Sequence, residues 1–203
     1  SIMVGKDASV DGSVMTSHTC DSWYRTWARW EKAEDHEKNA TQKIYRGSMG
    51  TRNPYDSKGL ELAGEIPQAS HTFAYLNTAY PCLNEKQLAI GETTFSGPDT
   101  LVNPEGLFMI EELERIVLQR CDNARDAIKL IDELTKEYGY GDGGECITIA
   151  DTKEVWCLEI MGEGKKKKGA IWAAQRVPDG EVSVSANIPR IKYLNREDTN
   201  NFL

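Results

Sequence analysis

The feature that most constrains the fold is a pair of helix-like segments enclosed by strand-like segments. From residue 107 to residue 119, apolar side chains recur at the spacing of one helix face. Asp122 or Asn123 then caps a second helix, and Gly139 and Gly141 follow it as stop signals. The two apolar stripes are Met109, Ile110, Leu113, Ile116 and Val117, and then Ala124, Ala127, Ile128, Ile131 and Leu134. We interpret both stripes as core contacts rather than as parts of a cofactor site.

Strand-like runs stand on both sides of the helical pair. After it come ECITIAD, EVWCLEI, GAIWAAQRV and EVSVSANI, joined by the short turns DTKE, GEGKKKKG and PDGE. Before it, residues 2–5 and 13–17 predict a hairpin, residues 71–80 predict extended chain, and residues 82–95 predict a turn that leads into a strand. This order predicts an α+β protein in which helices pack on sheets.

Residues 22–58 interrupt this order. The segment begins SWYRTWARW, continues EKAEDHEKNATQK, and has neither a clear helix period nor a clear strand period. We therefore expect a long excursion with one short helix, which serves as a lid. Alternative interpretations of its tryptophans are a sugar-binding platform, because aromatic faces stack on apolar ligand surfaces, and a subunit interface.

Charge and hydropathy exclude two classes of partner. The 203 residues include 32 acidic and 24 basic side chains, which gives a net charge of -8. A nucleic-acid-binding protein needs a basic face, and the only basic run, residues 165–168, is interpreted as a solvated hairpin tip. No run approaches the ~18 apolar residues of a membrane span. We therefore expect neither a nucleic acid nor a membrane as partner.

The five cysteines favour free thiols over a disulfide framework. They stand at positions 20, 82, 121, 146 and 157, with no CxxC pair and no zinc pattern with the three histidines. We expect mostly buried free thiols, no metal and no cofactor. A bridge between Cys146 and Cys157 stays open, because these residues fall on neighbouring predicted strands.

Local motifs alone do not identify a reaction. The sequence contains no Walker loop, GxSxG elbow, HExxH or GxGxxG. The glycine-rich GYGDGGE at 139–145 follows a helix, so we interpret it as a helix-to-strand connection and not as a phosphate-binding loop. His18 and His71 stand outside metal-ligand spacing. From the residues alone, the conclusion stops at an α+β protein.

Four blocks of the sequence resemble one protein family. They are SIMVGKDASVDGSVMTSHTCD, ELAGEIPQASHTFAYLNTAYPCLNEKQLAIGETTF, GYGDGGECITIADTKEVWCLEI and IWAAQRVPDGEVSVSANIPRI. Together they resemble the dipeptidase A/secernin family of cysteine peptidases, which are N-terminal-nucleophile (Ntn) hydrolases distantly related to penicillin V acylase and bile salt hydrolase. The resemblance implies an αββα sandwich of two mainly antiparallel sheets with flanking helices. Family members are longer, so residues 1–203 resemble the N-terminal part of one such domain, incomplete in this chain.

The resemblance also implies the position of the nucleophile. The family's first strand begins Cys-Thr-Thr/Ser-Ile, and Ser1 aligns with the third residue of that pattern. The nucleophilic cysteine then precedes Ser1 by two places, becomes the free N-terminus by processing, and uses its own α-amine as general base. An α-amine pKa of about 7.7–8.0 suits proton acceptance near neutral pH. The alternative is that Ser1 is itself the nucleophile, as in some other Ntn hydrolases.

The same resemblance implies the supporting catalytic residues. Asp21 matches an aspartate that binds the nucleophile's α-amine, and His18 stands where the related acylases carry an arginine. That departure changes how a thiolate is stabilised, because histidine is charged only part of the time near neutral pH. Asn84 matches an asparagine that donates to the oxyanion, and Asn187 matches a second asparagine beside the nucleophile. Cys20 is not taken as the nucleophile, because strand alternation turns it away from the face of Asp21.

Tyr24 and Arg25 follow Asp21 and are predicted to enter the substrate cleft. An arginine binds the C-terminal carboxylate of a short peptide through two hydrogen bonds. The resemblance thus implies a bacterial cysteine-type dipeptidase, secreted, periplasmic or cytoplasmic, that hydrolyses short peptides and assembles as a homo-oligomer. Two alternatives stay open: an amidase or acylase that acts on non-peptide amides, and a non-catalytic binding scaffold of the same fold.

Overall fold

The computed structural model describes residues 1–52 and 57–203, and it arranges them as fourteen strands and two α-helices. The strands are β1 (Ile2–Val4), β2 (Met15–Ser17), β3 (Arg29–Glu31), β4 (Glu34–Asp35), β5 (Thr41–Arg46), β6 (Glu61–Pro67), β7 (His71–Thr72), β8 (Tyr75–Asn77), β9 (Leu83–Asn84), β10 (Ala89–Thr94), β11 (Glu145–Ala150), β12 (Val155–Gly162), β13 (Ala170–Arg176) and β14 (Val182–Val184). The helices are α1 (Ile110–Arg120) and α2 (Ala124–Tyr138). This composition confirms the α+β class that the sequence predicts.

Two antiparallel sheets contain most of the strands. A seven-stranded sheet has the order β13-β12-β11-β10-β9-β8-β3, and a three-stranded sheet has the order β14-β1-β2. Ile2 pairs with Ser17, which confirms the hairpin predicted at the start of the chain. The predicted extended segments before the helices are also strands, and β4 with β7 and β5 with β6 form two smaller pairs.

The helical pair forms where the apolar period predicts it. The main-chain N–H of Ile110 at the start of α1 donates to Asp142 Oδ2 at 3.2 Å. The Asn123 side chain caps α2 by accepting from Asp126 N at 2.9 Å, and α2 ends at Gly139, whose φ of 83° favours glycine. The apolar stripes of both helices are buried in one core. Neither helix, with 11 and 15 residues, is long and apolar enough to cross a bilayer.

The seven-stranded sheet has two different faces, because side chains alternate along each strand. On one face, Ile147 of β11 and Leu158 of β12 pack with the helices. On the opposite face, Cys146 and Cys157 of the same strands pack with Met3 of β1. The three-stranded sheet therefore covers the face that the helices leave free, and the described residues form helix, sheet and sheet layers in that order.

Residues 22–58 differ from the predicted excursion. The expected short helix is present as a 3-10 helix at Ser48–Gly50, but the segment also carries β3, β4 and β5. Strand β3 pairs with β8 and so belongs to the edge of the seven-stranded sheet. Residues 53–56 of the segment lie outside the described residues. Its role as a lid stays a prediction.

Strand β5 shows why the segment lacks a visible strand period. Its two buried positions are Gln42 and Ile44, so a polar residue occupies one of the places where alternation would show an apolar one. The Gln42 amide donates to Gln119 Oε1 at 2.6 Å and accepts from Arg120 at 2.9 Å, which satisfies it in the interior.

All five cysteines are free in the structure. Cys121, Cys146 and Cys157 are buried, Cys82 is half-buried and Cys20 is exposed, which confirms the expected free and mostly buried thiols. Cys146 Sγ and Cys157 Sγ lie 3.3 Å apart, as neighbouring thiols and not as a bridge.

Candidate active site

The first residue of the chain is held between the two sheets. Ser1 N donates to the Ser185 carbonyl at 2.7 Å, and Ser185 N donates to the Ser1 carbonyl at 3.0 Å. Ser1 Oγ lies 2.6 Å from Thr93 Oγ1 and donates to the Glu92 carbonyl at 3.2 Å. These contacts fix the start of β1 against both β10 and the chain that follows β14.

His18 lies directly over Gly91 of β10. A Cβ atom at Gly91 would come within 2.4 Å of His18 Nδ1, so a glycine is needed here for the imidazole to fit. Burial lowers the pKa of His18. The imidazole is therefore mostly neutral at pH 7, and it offers hydrogen bonds rather than the fixed positive charge of an arginine.

Asp21 lies beyond the end of β2 and outside every strand. Strand β2 ends at Ser17, and Asp21 follows in exposed irregular chain. Burial raises the pKa of Glu92, and the charge of Asp21 raises it further, so Asp21 lies near this carboxyl. The role of Asp21 as the partner of an α-amine stays a prediction.

The strand-alternation argument for Cys20 is wrong, because neither Cys20 nor Asp21 belongs to a strand. A different observation disfavours this thiol as a nucleophile. Desolvation and the charges of Glu92 and Glu114 raise the pKa of Cys20, which keeps it in the unreactive protonated form.

Asn187 lies close to the held terminus. Its Nδ2 donates to the Thr94 carbonyl at 2.7 Å, next along β10 from Thr93, which contacts Ser1. Its main chain has φ 54°, in the left-handed region that asparagine tolerates better than most residues. Among the described residues, the second amide hydrogen of Asn187 has no acceptor. One N–H donor is therefore available to a substrate oxygen.

Asn84, in contrast, uses its whole side chain inside the protein. Nδ2 donates to the carbonyls of Leu118 and Cys121, each at 2.8 Å. Oδ1 accepts from the main-chain N–H groups of Lys86 and Leu88, each at 3.0 Å. These four hydrogen bonds occupy both amide hydrogens and both lone pairs of the oxygen. Asn84 thus joins the turn between β9 and β10 to the end of α1.

The structure does not bring Asn84 to Ser1. Leu88, which Asn84 contacts, precedes Thr93 by five residues, roughly 16 Å along an extended strand. With no free N–H and this separation, the arrangement gives no support to Asn84 as an oxyanion donor. The asparagine of an N-E-K turn accepts local main-chain bonds readily, and this turn chemistry accounts for its presence.

Thr93 and Ser185 are site residues that sequence reasoning missed. Both lie in the quoted blocks, in ETTF and SVSAN, but a threonine or serine in a strand carries no motif of its own. Only the pairing of β1 with its neighbours brings them to Ser1. A correct prediction of that strand register would have identified both residues.

A cleft of about 290 Å³ opens beside His18. Tyr24 and Arg25 line it together with Tyr80, whose ring meets Tyr24 edge-on with 5.2 Å between centroids. The two residues predicted to bind substrate therefore share a cavity with one predicted catalytic residue. Their contact with a substrate stays a prediction.

Arg25 is held in place by its neighbours. Its guanidinium lies 3.8 Å from the centroid of the Trp27 ring, and it donates to Asn77 Oδ1 at 2.5 Å and to the Thr78 carbonyl. Desolvation lowers the pKa of Arg25 to about 10, so the side chain remains cationic at neutral pH. Arg25 also lines a second, more polar cleft of about 560 Å³ that extends toward α1, so it stands between two cavities.

Buried glutamates lie on the helix side of the seven-stranded sheet. Glu111 and Glu114 of α1 have no hydrogen-bond partner on either carboxyl oxygen among the described residues. Burial raises the pKa of Glu111 to about 7 and that of Glu145 to about 10, and it raises the pKa of Glu114 well above its usual range. These carboxyls keep protons at pH values where exposed glutamates have lost them.

Fold and site together define an α+β protein whose first residue is held between two antiparallel sheets, beside a cleft and an available amide donor. A model of Peptidase family C69 matches residues 1–203, and the chain belongs to that family.

Similar proteins carry dipeptidase names. A probable dipeptidase of Latilactobacillus sakei is 25% identical over 207 residues, which cover 100% of this chain and 42% of that protein. Dipeptidase A of Lactobacillus helveticus is 24% identical, with 99% of this chain and 42% of that protein covered. Probable dipeptidase B of Lactococcus lactis is 27% identical, with 92% and 38% covered. The chain therefore spans less than half the length of these relatives.

Proposed function

We propose that the intact protein is a dipeptidase that hydrolyses short peptides through an N-terminal cysteine, located two residues ahead of Ser1. Family membership and the names of the relatives support the substrate class. The sequence blocks that resemble Ntn hydrolases support the mechanism.

The observation that carries this proposal is the register of β1. Ile2 pairs with Val184, and Ser1 continues that ladder through its two hydrogen bonds with Ser185. Two residues ahead of Ser1, the chain would reach the bend at residues 186–188, where Asn187 leaves the extended conformation with φ 54°. The proposed nucleophile and the available amide donor would then lie near each other at the sheet edge.

Side-chain alternation gives the direction of the proposed nucleophile. Residues two apart on a strand face the same way, so this residue shares a face with Ser1 and with Met3, which packs between the sheets. Ser1 reaches Thr93 on that face. The thiol would therefore project toward the end of β10, where Thr93 lies.

The chemistry follows from these positions. The α-amine takes the thiol proton as the sulfur attacks the peptide carbonyl, and it returns that proton to the leaving amine. The free N–H of Asn187 donates to the oxyanion as negative charge develops there. Water then hydrolyses the thioester. Asp21 would balance the ammonium form of the amine, and neutral His18 would hold the thiol through a hydrogen bond.

Substrate binding is proposed for the cleft that Tyr24 and Arg25 line. The guanidinium of Arg25 would bind the C-terminal carboxylate of the peptide, and Tyr24 would pack against its side chain. Such recognition favours short peptides over internal peptide bonds of long chains, because only a chain end carries the carboxylate.

The test is N-terminal sequencing and intact mass on the active, intact protein, followed by iodoacetamide treatment. We expect a free cysteine two places ahead of Ser1 and complete loss of dipeptide hydrolysis when it is alkylated. The Cys20→Ser variant is the matched control, because Cys20 is the exposed thiol among the described cysteines. This variant should be equally active and equally inhibited. Full resistance of the activity to alkylation would refute the cysteine mechanism.

Ser1 as nucleophile is a second candidate, favoured by the 2.6 Å contact between Ser1 Oγ and Thr93 Oγ1 beside the chain's own amine. It predicts that active protein begins at Ser1 and resists iodoacetamide. Hydrolysis of carboxylate-free amides in preference to dipeptides would indicate an amidase or acylase. Absence of hydrolysis with every amide tested would indicate a binding scaffold.

A further inference from the structure

We propose that Cys146, Cys157 and Glu159 form a binding site for a zinc-type divalent cation between the two sheets. One potential ligand atom from each of these side chains lies within 4.8 Å of the other two. Zinc binds thiolate sulfur and carboxylate oxygen at about 2.0–2.3 Å, which places tetrahedral ligand atoms roughly 3.5–3.8 Å from one another. Cys146 Sγ and Cys157 Sγ, 3.3 Å apart, are already near that spacing. The inference does not rest on the proposed dipeptidase mechanism.

Strand register brings the three residues together. Cys146 of β11 pairs directly with Glu159 of β12, and Cys157 precedes Glu159 by two residues on the same face. Cys146 and Cys157 are therefore diagonal neighbours, whose Cα atoms are typically about 7–8 Å apart. A disulfide requires about 4.4–6.8 Å, so a bridging cation suits this pair better than a direct bond.

Glu159 is already oriented by contacts of its own. The main-chain N–H groups of Arg190 and Ile191 both donate to Glu159 Oε1, the second at 3.0 Å. Carboxylates that bind metals are commonly held in this way by hydrogen bonds from behind. Among the described residues, the other oxygen, Oε2, has no hydrogen-bond partner, so its lone pairs are available to a cation.

The thiols have the environment that metal binding needs. Cys146 is completely buried and Cys157 is nearly so, yet Cys157 lines a cavity of about 390 Å³ that gives a path of entry. Each thiol gives up its proton when it binds the cation, so binding should be weaker at low pH. Zinc is preferred over harder cations because two of the ligands are sulfur.

The test is titration of the reduced, metal-free intact protein with Co²⁺, a spectroscopic substitute for Zn²⁺. We expect intense near-ultraviolet absorption from sulfur-to-cobalt charge transfer, which Zn²⁺ displaces. Glu159→Gln should weaken Co²⁺ binding by about 10- to 100-fold, and Cys146→Ser and Cys157→Ser should abolish the absorption. Cys121→Ser is the control, because Cys121 is a buried thiol outside the site and its variant should bind normally.

A second measurement uses only the native protein. Bound Zn²⁺ should protect Cys146 and Cys157, but not Cys20, from alkylation by iodoacetamide, as mapped by peptide mass. This readout remains valid even if a cysteine variant fails to fold. Absence of cobalt–sulfur absorption, or its survival in both cysteine variants, would overturn the proposal. After air oxidation without metal, a disulfide between Cys146 and Cys157 would lower the mass by two hydrogens and make both sulfurs unreactive toward iodoacetamide. That outcome would assign a disulfide in place of the metal site.

Discussion

On the helix side of the seven-stranded sheet, β11 and β12 present isoleucine, leucine and tryptophan to α1 and α2. On the opposite side, the same two strands present cysteine, threonine and glutamate toward β1 and the first residue of the chain. The helix side is a large apolar core that also encloses the buried glutamates of α1. The other side carries the neighbouring thiols and the held terminus. We therefore expect variants of the helix side to change stability and variants of the other side to change chemistry.

The largest expected effect tests the helix side. Leu113 of α1 is completely buried in the core, so Leu113→Ala should lower the free energy of unfolding by about 3 kcal/mol through lost burial and the cavity that it leaves. The kcat of the folded protein should not change. Leu62→Ala, at a half-exposed leucine, is the control and should cost less than about 0.5 kcal/mol. Urea unfolding and dipeptide hydrolysis measure the two effects. A kcat loss in folded Leu113→Ala protein would contradict the division between the faces.

The two asparagines sharpen the comparison further. Asn187→Ala should lower kcat about 100-fold, because it removes the N–H donor that the fold leaves free. It should cost only about 1 kcal/mol of stability, because the hydrogen bond to the Thr94 carbonyl that it also removes is exposed. Asn187→Asp, which keeps the size of the side chain but lacks the N–H donor, should lower kcat by as much as Asn187→Ala. Asn84→Ala should instead cost about 2–3 kcal/mol of stability, because it leaves buried main-chain groups unpaired. Kinetics together with unfolding curves of the three variants provide the measurement. Equal kcat losses at both positions would restore Asn84 as an oxyanion donor.

The same comparison explains what sequence could predict. Both helices follow from local apolar period, and the Asn123 cap and the Gly139 stop follow from residues adjacent in sequence. Contacts across strands depend instead on register, which local pattern does not specify. The meeting of Ser1 with Thr93, and of Cys146 with Glu159, is of this kind.

Buried polar residues set a second limit on prediction. Gln42 hides the period of β5, and the glutamates of α1 lie in the interior although their charge predicts exposure. Burial of a polar or charged side chain lowers the stability of the folded state unless the side chain has a hydrogen-bond partner or a bound proton. The local sequence reveals neither the partner nor the proton. The family resemblance supplied the remaining site residues. Asn187 lies near the held terminus, whereas Asn84 uses its side chain in interior hydrogen bonds, and the roles of both stay predictions.

Glu111 gives a pH-dependent test of the helix side. Burial raises its pKa to about 7, so the folded state keeps a proton that the unfolded chain releases above its ordinary pKa of 4.5. Keeping this proton lowers the free energy of unfolding progressively as pH rises from 4.5 to 7, by about 3 kcal/mol at the upper end. Glu111→Gln should therefore match the parent in stability at pH 4 and exceed it by about 3 kcal/mol at pH 8. Chemical unfolding at several pH values measures the difference.

Glu105→Gln is the matched control for this test, because Glu105 is exposed just ahead of α1. The free energy of unfolding of Glu105→Gln should differ little from that of the parent at both pH values. A Glu111→Gln variant that is less stable than the parent at pH 8 would show that the carboxylate has a cationic partner in the intact protein. The helix side would then hold chemistry as well as packing.

The smallest expected effect concerns Arg25, which belongs to neither face. Arg25→Ala should raise KM for dipeptides about 10-fold and leave KM for the corresponding dipeptide amides unchanged, because only the former carry the carboxylate. The KM of Arg25→Lys for dipeptides should lie between those of the parent and of Arg25→Ala, because a lysine binds a carboxylate without the bidentate geometry of an arginine. Equal KM increases for both substrates would mean that Arg25 acts by holding Asn77 and Thr78 rather than by binding substrate. In that case the shape of the cleft beside His18, and not the charge of Arg25, would select the substrate. Arg25 would then have a structural role, like the residues of the helix side.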